Sequence, residues 1–588
     1  MNKNQKTLKD TFIEAVKNYT KGDFKNSEIL CSKIISIDPN NFEPYVLLSN
    51  IYARKTDYKS AKKYLIKAND LKPNDIKILN NLGTACKSLK ESEAAINYYN
   101  KVIAIDANNT NAHYNIGLLL YEMKNLSKAK NFLQKATELQ PNFALAFFAL
   151  GNIYVDLKNY EKAISSYQKA IEINPNLVGA HNNLGLVYRI SDDLENAISC
   201  YEKAIKLKPN SSGTYHNMAL AFKELGKFKE SINAHKMAIK HEPENSINYY
   251  YLSELKKDIL NEDLRLKIEK ITYNKKSSKS NLAYANYLLA KYEKNLKNYE
   301  KELSYLIQGH KYFFDSKRDK FKLGVKYCFE DVIKISNEVK VKKSLKKEEN
   351  KIKPIFIIGV PRCGSTLIEK VIGSGTKFIP LGEETTVFEN FINSKILEKQ
   401  SLNLGDADNI RNELINNYKK RGLISEKFDY KFTDKSLNNF FYLELIKDIF
   451  PNAKIINCKR NVLSSIVSIL QNNLSELSWA HDISNIFKYF ENYFNIIENF
   501  KETYPNYIHE IELEKFVNEP ETESKSLLEY CELPWDSKCL EFYKRKDLIS
   551  KTASNTQIRE AIFKHNLEKY LPYKKYLKKY GEKYSWFN

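Results

Sequence analysis

A short turn-forming motif recurs through the first 245 residues of this chain at a constant spacing of 34 residues. The motifs are DPNN at 38, KPND at 72, DANN at 106, QPNF at 140, NPNL at 174, KPNS at 208 and EPEN at 242. A unit this short cannot bury a hydrophobic face alone, so successive units must stack on one another. The spacing therefore predicts a repeat solenoid for the first half of the chain. A second domain is expected after it, because 588 residues exceed one ordinary core.

Small residues recur within this period in three columns. The columns are Gly83, Gly117, Gly151 and Gly185; Ala61, Ala95, Ala129, Ala163 and Ala197; and Ala68, Ala136, Ala170, Ala204 and Ala238. Small side chains there let two antiparallel helices approach closely, and the proline of the turn motif ends one helix pair and starts the next. Over residues 8 to about 245 the chain resembles the tetratricopeptide family, in seven repeats.

This resemblance implies a concave surface that docks a protein or peptide. The alternative interpretation is that the stack makes the chain a homodimer or braces its neighbouring domain. Residues 246 to about 345 keep a helical period, and NLAYANYLLAKYEKNLKNYEKELSYLIQGHKYF resembles one further degenerate helical pair. The lysine-rich segment KVKKSLKKEENKIK (340–353) is interpreted as an exposed linker. We therefore expect repeats over 1–245, a helical connector over 246–345 and a second domain over 346–588.

The net charge of +21 does not by itself indicate a nucleic-acid partner. No basic run interleaved with aromatic residues appears, so nucleic-acid binding is not expected. The eight cysteines form no C-x-x-C pair, which argues against a zinc site and a disulfide framework and suits a reducing compartment. No apolar run reaches about 18 residues, so we expect no membrane span and a cytoplasmic protein.

The segment GVPRCGST (359–366) is close to a phosphate-binding glycine loop. Gly359 and Gly364 have the spacing G-x-x-x-x-G, but Ser365 stands where the motif of nucleoside triphosphatases has lysine, and Arg362 lies earlier in the loop. An apolar, β-rich run, PIFIIG, precedes the loop and a helical pattern follows it. Backbone N–H groups of residues 362–366 at the helix start would therefore bind a phosphate. The thiol of Cys363, beside Arg362 at this helix end, is expected to have a lowered pKa and to react readily.

A second apolar strand and helix are predicted within NAKIINCKRNVLSSIVSIL (452–470). Arg460 follows the strand, and Ser464 and Ser468 come four and eight residues later, on one face of the helix. An arginine and a hydroxyl group at a strand end make a second phosphate site. Two such sites at adjacent strand ends predict a nucleotide with phosphates at both ends of its ribose.

Residues 354–570 resemble the sulfotransferases that use 3′-phosphoadenosine 5′-phosphosulfate (PAPS). The resemblance implies an α/β, P-loop-like domain with a central parallel sheet. It also implies that Arg362, Cys363, Gly364, Ser365 and Thr366 bind the 5′-phosphosulfate. The resemblance further implies that Arg460 and Ser468 bind the 3′-phosphate and that Lys569 binds the nucleotide.

Three further segments are similar to tyrosylprotein sulfotransferases and their bacterial tetratricopeptide-bearing relatives. LGEETTVFE (381–389) resembles the segment whose second glutamate is the general base, here Glu384 beside Glu383. TDKSLNNF (433–440) resembles the segment with a lysine that stabilises the transition state, here Lys435. TASNTQI (552–558) resembles the segment with a serine that donates a hydrogen bond in the transition state. That residue is Ser554 here, or Asn555 if Asn555 is the one that aligns with the serine. Thr386 stands where the tyrosylprotein enzymes have an arginine that contacts the acceptor peptide.

The resemblance implies an enzyme that moves sulfonate from PAPS to a hydroxyl group, without a metal. The expected acceptor is a tyrosine of a protein or peptide docked by the repeats. A glycan or a small hydroxylated metabolite remains an alternative acceptor, and a non-catalytic scaffold remains an alternative class. A P-loop kinase or ATPase does not fit, because Ser365 replaces the lysine and Asn457 and Cys458 occupy the strand where a metal-binding aspartate would follow.

Overall fold

The computed structural model describes residues 3–342, 352–375, 379–424, 430–545, 562 and 570–587. The chain divides into two compact units, Met1–Ala221 and Phe222–Asn588. The domain boundaries near 245 and 345 stay predictions. Within the described ranges, no helix has the length and apolar character needed to cross a membrane.

Seven helix pairs follow one another from Lys3 to His241, as the repeat period predicts. They are α1 (Lys3–Thr20), α2 (Phe24–Ile37), α3 (Glu43–Arg54), α4 (Tyr58–Leu71), α5 (Ile76–Ser88), α6 (Ser92–Ile105), α7 (Thr110–Glu122), α8 (Leu126–Leu139), α9 (Ala144–Asp156), α10 (Tyr160–Ile173), α11 (Val178–Ile190), α12 (Leu194–Leu207), α13 (Ser212–Glu224) and α14 (Phe228–His241).

The small residues of the predicted columns lie where the two helices of a pair meet. A Cβ atom on Gly83 would stand 2.6 Å from Tyr99 Cε1, and one on Gly151 would stand 2.4 Å from Tyr167 Cε1. Both tyrosines are buried. The glycine therefore makes room for a large ring from the partner helix, and the ring fills the interior of the pair.

The turn inside each pair carries one feature that repeats every 34 residues, and five of the seven turns carry a second. A residue in the left-handed backbone region ends the first helix, for example Lys124 (φ 62°) and Lys158 (φ 56°). The next residue caps the second helix: Asn125 accepts a hydrogen bond from the Lys128 N–H, and Asn159 accepts one from the Lys162 N–H. These caps satisfy N–H groups that a helix start leaves without partners.

Six further helices precede the sheet. They are α15 (Ser246–Leu255), α16 (Glu262–Tyr273), α17 (Lys279–Asn295), α18 (Tyr299–Ser316), α19 (Arg318–Lys326) and α20 (Val332–Glu338). Helices α17 and α18 are the predicted degenerate pair. Gly309 repeats the packing of the repeat glycines, since its Cβ would stand 2.7 Å from Tyr287 Cε1.

Among its described residues, the second half contains six strands in two parallel sheets. The strands are β1 (Lys340–Lys342), β2 (Lys353–Gly359), β3 (Asn403–Asp406), β4 (Lys431–Asp434), β5 (Lys454–Lys459) and β6 (Ile508–Glu512). The larger sheet has the order β4-β2-β5-β6, and β1 pairs with β3 in the smaller sheet. The predicted exposed linker is therefore wrong at its start, because the Lys340 N–H donates to the Leu402 carbonyl and residues 340–342 form β1. Residues 343–351 lie outside the described ranges.

The helices that accompany these strands form a second set. They are α21 (Ser365–Ile372), α22 (Val387–Lys399), α23 (Ala407–Lys420), α24 (Leu443–Ile449), α25 (Val462–Leu470), α26 (Ile483–Thr503), α27 (Leu513–Asn518), α28 (Pro520–Tyr530) and α29 (Leu571–Gly581). Short 3₁₀ segments occur at Leu437–Tyr442 and Ser478–His481.

One continuous core joins helices α15–α20 to the strand-containing part of the second unit. Its buried members run from Tyr249 to Phe587. His310 of α18 lies 2.8 Å through Nε2 from the carbonyl of Leu470, at the end of α25. Tyr573 of α29 donates to Glu302 of α18 at 2.7 Å, and both residues are buried. Helix α18 of the degenerate helical pair is thus hydrogen-bonded directly to α25 and α29.

Candidate functional site

The carboxyl ends of three adjacent strands meet at the point where the strand order of the larger sheet reverses. Strand β2 lies between β4 and β5, both parallel to it, and the chain moves from β2 to β4 on one side before reaching β5 on the other. In open parallel sheets such a reversal leaves a crevice at the carboxyl ends of the strands, where ligands bind.

The loop after β2 turns tightly against its neighbours. Gly359 (φ 149°) lies so close to β5 that a Cβ would stand 2.6 Å from the Cys458 carbonyl oxygen. Gly364 (φ 95°) caps α21, and its Cβ would stand 2.7 Å from Leu513 Cδ1. Both positions need a backbone conformation and a clearance that only glycine combines. Helix α21 begins directly afterwards, at Ser365, so its positive N-terminal end faces the carboxyl edge of the sheet.

Arg362 and Arg460 come together behind this loop. The Arg362 Nε donates to the Ser468 Oγ at 3.1 Å, and the Arg460 Nη1 donates to the Arg362 carbonyl at 3.0 Å. The Arg460 Nη2 also donates to the Tyr570 hydroxyl at 3.2 Å. Burial, and next the charge of Arg460, lower the pKa of Arg362. Two neighbouring guanidinium groups repel each other, and an anion between them would relieve the repulsion.

The remaining residues predicted beside these arginines have other roles. Ser464 donates its hydroxyl to Asn461 Oδ1 at 3.1 Å, within the cap of α25. Cys363 is buried, which opposes the ready reaction that the sequence predicts. Its pKa is lowered, as predicted, but chiefly by a hydrogen bond from the Cys458 thiol rather than by Arg362. The Cys363 N–H donates to the Val360 carbonyl at 3.2 Å and so closes the turn of the loop.

Glu383, Glu384 and Lys435 meet at the end of β4. The Lys435 Nζ lies 3.2 Å from Glu383 Oε1 and 3.2 Å from Glu384 Oε1. The same nitrogen donates to the Thr366 Oγ1 at 3.2 Å, which ties it to the first turn of α21. The backbone supports this arrangement, because the Glu384 N–H donates to the Lys435 carbonyl and the Lys435 N–H donates to the Gly382 carbonyl, each at 2.9 Å.

The two glutamates differ in their surroundings. The Glu384 side chain is 42% exposed, whereas that of Glu383 is 10% exposed and lies between Lys435 and Lys370. Burial, together with the charges of Glu383 and Asp434, raises the pKa of Glu384 above its usual range, and the Lys435 ammonium opposes this rise. Burial alone would lower the pKa of Lys435, but the carboxylates of Glu384 and Glu383 raise it, so this lysine stays charged.

Sequence reasoning missed two charged residues of α21 that complete this cluster. Lys370 donates to Glu383 Oε2 at 3.4 Å, and Glu369 accepts from the Thr433 hydroxyl at 2.7 Å. Both side chains are buried, and burial raises the pKa of Glu369 to about 7. The available signal was their position one turn after Ser365 and Thr366, on the helix that the glycine loop begins.

Three of the predicted site residues lie outside the described residues: Ser554, its alternative Asn555, and Lys569. The structure brings together Arg362, Arg460 and Ser468, and separately Glu384, Lys435 and Thr366. Within the ranges that are described, no group of three or more His, Cys, Asp or Glu side chains has an arrangement that could hold a metal ion.

Comparison with known families gives the class of this second domain. Residues 354–537 match the model of the sulfotransferase family. Models of the tetratricopeptide repeat match residues 42–75, 110–143, 132–165, 178–211 and 200–233, and a further repeat model matches 83–124 and 151–189. The chain therefore carries tetratricopeptide repeats followed by a sulfotransferase-family domain, which confirms the predicted repeats and, at the level of the broad family, the predicted sulfotransferase domain.

One curated relative and several solved structures are similar to parts of the chain. An uncharacterized protein of Aquifex aeolicus (strain VF5) is 30% identical over 320 residues, which cover 51% of this chain and 41% of the relative. The chain thus spans less than half of that relative's length. MamA from Desulfovibrio magneticus RS-1 is 26% identical and matches 29% of this chain and 96% of its own, with a TM-score of 0.27. PilF of Pseudomonas aeruginosa is 17% identical and matches 38% and 98%, with a TM-score of 0.33.

Proposed function

We propose that this chain is a PAPS-dependent sulfotransferase that transfers sulfonate to a hydroxyl group of a protein or peptide docked on its repeats. One observation carries the proposal: a glycine loop and helix start, a half-buried arginine pair and a carboxylate–lysine pair meet at one crevice in the sheet. The family match to residues 354–537 supports the reaction class.

The residues of the crevice suit a nucleotide with phosphates at both ends of its ribose. Arg460 and Ser468 follow β5 and would hold the 3′-phosphate, while Arg362 and the first amides of α21 would hold the 5′ side. The Arg460 Nε is buried and makes no hydrogen bond among the described residues. A buried donor without a partner is costly, and a phosphate oxygen is a strong acceptor for it.

PAPS supplies the sulfonate group, and adenosine 3′,5′-bisphosphate leaves when its phosphate–sulfate bond breaks and the acceptor oxygen–sulfur bond forms. Glu384 takes the proton of the acceptor hydroxyl, since it is the more exposed of the two glutamates beside Lys435. Its raised pKa brings its basicity closer to neutral pH, which suits a general base.

Lys435 stabilises the negative charge that develops on the leaving phosphate. Its ammonium is buried and is fixed by Glu383, Glu384 and Thr366, so it needs little reorganisation during the reaction. Ser554 is proposed to donate a second hydrogen bond to the same oxygen, in the role that the family resemblance implies.

Tyrosine is the acceptor that we propose, on the likeness of the Glu384 and Lys435 segments to tyrosylprotein sulfotransferases. The repeats offer a docking surface that a small metabolite would not need. Thr386, in place of the arginine of those enzymes, leaves peptide recognition to other residues of the chain.

Calorimetry tests the nucleotide assignment. Adenosine 3′,5′-bisphosphate should bind at least tenfold more tightly than AMP or ATP, because only it engages both phosphate sites. Equal affinity for AMP would contradict the two-phosphate site.

Transfer is tested with labelled PAPS and a cell extract, followed by identification of the labelled residue. Labelled tyrosine supports the full proposal. A labelled glycan or small metabolite would support the reaction but contradict tyrosine as the acceptor. No labelled product with any acceptor class contradicts the enzymatic proposal.

A deletion tests docking on the repeats. Removing residues 1–211, which end before α13, should raise KM for the protein acceptor at least about tenfold by lowering its effective concentration at the crevice. The kcat on a small phenol should stay within twofold, and unchanged binding of adenosine 3′,5′-bisphosphate would report a folded protein. An unchanged KM for the protein acceptor would assign the repeats to assembly.

A further inference from the structure

A buried carboxylate lies directly behind the proposed base and lysine. Asp434 is the last residue of β4, is fully buried and immediately precedes Lys435. Its Oδ1 accepts hydrogen bonds from the Ser436 hydroxyl at 2.7 Å, the Thr385 hydroxyl at 3.2 Å and the Asn439 amide at 3.3 Å. Its Oδ2 accepts from the Tyr418 hydroxyl at 2.5 Å. These four donors come from three separate segments of the chain.

One of these segments is the loop that holds Glu384. Glu384 and Thr386 both have left-handed backbones, with φ of 50° each, which side chains other than glycine rarely adopt. Such a conformation persists only if its surroundings impose it. Two bonds do so here, since Thr385 donates to Asp434 and the Thr386 N–H donates to the Ser436 hydroxyl at 2.9 Å. Ser436 itself is held by Asp434.

The same carboxylate also acts on Glu384 through its charge. Burial raises the pKa of Asp434 above its usual range, and the hydrogen bonds from Tyr418, Ser436, Thr385 and Asn439 oppose this rise. An ionised Asp434 is a negative neighbour of Glu384, as Glu383 is, and Lys435 is the positive one.

We propose that Asp434 is a positioning residue, whose carboxylate fixes the backbone of residues 384–386 so that the Glu384 carboxylate faces the crevice beside Lys435. The inference rests on the proposed role of Glu384. Asp434 does not touch the acceptor or the nucleotide in this scheme; it acts on Glu384 through the loop and through its charge.

A matched pair of variants separates positioning from general stabilisation. Thr385→Val and Tyr418→Phe each remove one hydroxyl donor from the same carboxylate, but only the first donor belongs to the loop. We expect Thr385→Val to lower kcat about tenfold and Tyr418→Phe to lower it less than threefold. Thr385→Ser should restore kcat. Affinity for adenosine 3′,5′-bisphosphate should stay within twofold in all three, because the nucleotide residues lie on other segments.

Asp434→Asn tests the carboxylate itself. It keeps the shape and one oxygen acceptor, and we expect kcat to fall about 10- to 100-fold with nucleotide affinity unchanged. Removing a negative neighbour lowers the pKa of Glu384, so the acid limb of the pH profile of kcat should move to lower pH. Equal losses of kcat in Tyr418→Phe and Thr385→Val, or an unshifted acid limb in Asp434→Asn, would overturn the inference.

Amide hydrogen exchange gives a reading that does not depend on catalysis. Exchange at Glu384 and Thr386 should rise at least tenfold in Asp434→Asn and Thr385→Val but not in Tyr418→Phe. If wild-type protein transfers no sulfonate, the proposed function fails, and this exchange pattern still decides whether Asp434 holds the loop. If the wild-type protein is active but exchange is unchanged in Asp434→Asn and Thr385→Val, the positioning role alone is overturned.

Discussion

The tetratricopeptide repeats and the second unit differ in how often each structural role recurs. In the repeats, each structural role is filled several times, as by Asn125 and Asn159, which cap successive helix pairs. In the second unit, Glu384, Lys435 and Arg460 are each proposed to fill a separate role in the crevice. A substitution in the repeats should therefore cause a local and graded loss, whereas one in the crevice should abolish a single step.

The largest effect is expected at the base. Glu384→Gln keeps the shape of the side chain and removes its basicity, so kcat should fall about 10²- to 10⁴-fold while nucleotide affinity stays within twofold. Steady-state kinetics and calorimetry measure the two quantities. Glu383→Gln is the matched control one residue away, and a greater loss of kcat in that variant would move the base to Glu383.

The next effect is expected at the 3′-phosphate. Arg460→Gln should weaken the binding of adenosine 3′,5′-bisphosphate about 10- to 100-fold, because a charge-assisted hydrogen bond is lost. The affinity for AMP should be unchanged. Lys459→Gln is the control, since Lys459 pairs with Glu510 on the surface at 3.3 Å. A similar loss of AMP affinity in Arg460→Gln would mean that Arg460 does not distinguish the two phosphates.

A smaller and local effect is expected inside a repeat. Gly151→Ala places a Cβ 2.4 Å from the buried Tyr167 ring and should lower the free energy of unfolding of the repeat unit by about 1–3 kcal/mol. Gly213→Ala is the control, because its Cβ would meet no atom within 4 Å. Urea unfolding measures both, and kcat on a small phenol should not change. A loss of that kcat would show that the repeats and the crevice are energetically coupled.

The smallest effect is expected at a turn within a pair. Lys158→Gly removes the side chain from a left-handed residue (φ 56°) and should raise the free energy of unfolding by a few tenths, up to about 1 kcal/mol. Gly22 (φ 83°) and Gly226 (φ 77°) already occupy the corresponding positions of other pairs. Lys162→Gly, inside α10, should instead destabilise the protein, and stabilisation by both variants would contradict the conformational explanation.

The same contrast explains what could be predicted from the sequence. Seven units at one spacing predicted the helix pairs and the meeting of Gly151 with its partner helix, because each column offered several independent examples. The glycine loop and the strand before Arg460 were also predictable, since their local patterns differ from the repeats. The adjacency of β2 and β5 agrees with the expected neighbouring strand ends.

The cluster around Lys435 could be predicted only in part. Glu384 and Lys435 were chosen from family resemblance, and their separation of 3.2 Å depends on parallel pairing between residues 383 and 435. Asp434 gave no signal, and Lys370 gave only its position one turn after Ser365 and Thr366, because a lone charged residue in a helix or at a strand end is usually solvated. Their burial follows from the tertiary fold, which places α21, β4 and the Glu384 loop around one small volume.

The bonds from α18 to Leu470 and Tyr573 bear on how small an active fragment can be made. The region that matches the sulfotransferase family begins at 354, yet Glu302 and His310 lie before it and hydrogen-bond to residues beyond β5. A fragment starting at 354 would expose the apolar faces that α17 and α18 cover and would leave these partners unsatisfied. Expression of the matched region by itself should yield an aggregating polypeptide, and the shortest soluble fragment should have to begin before α15.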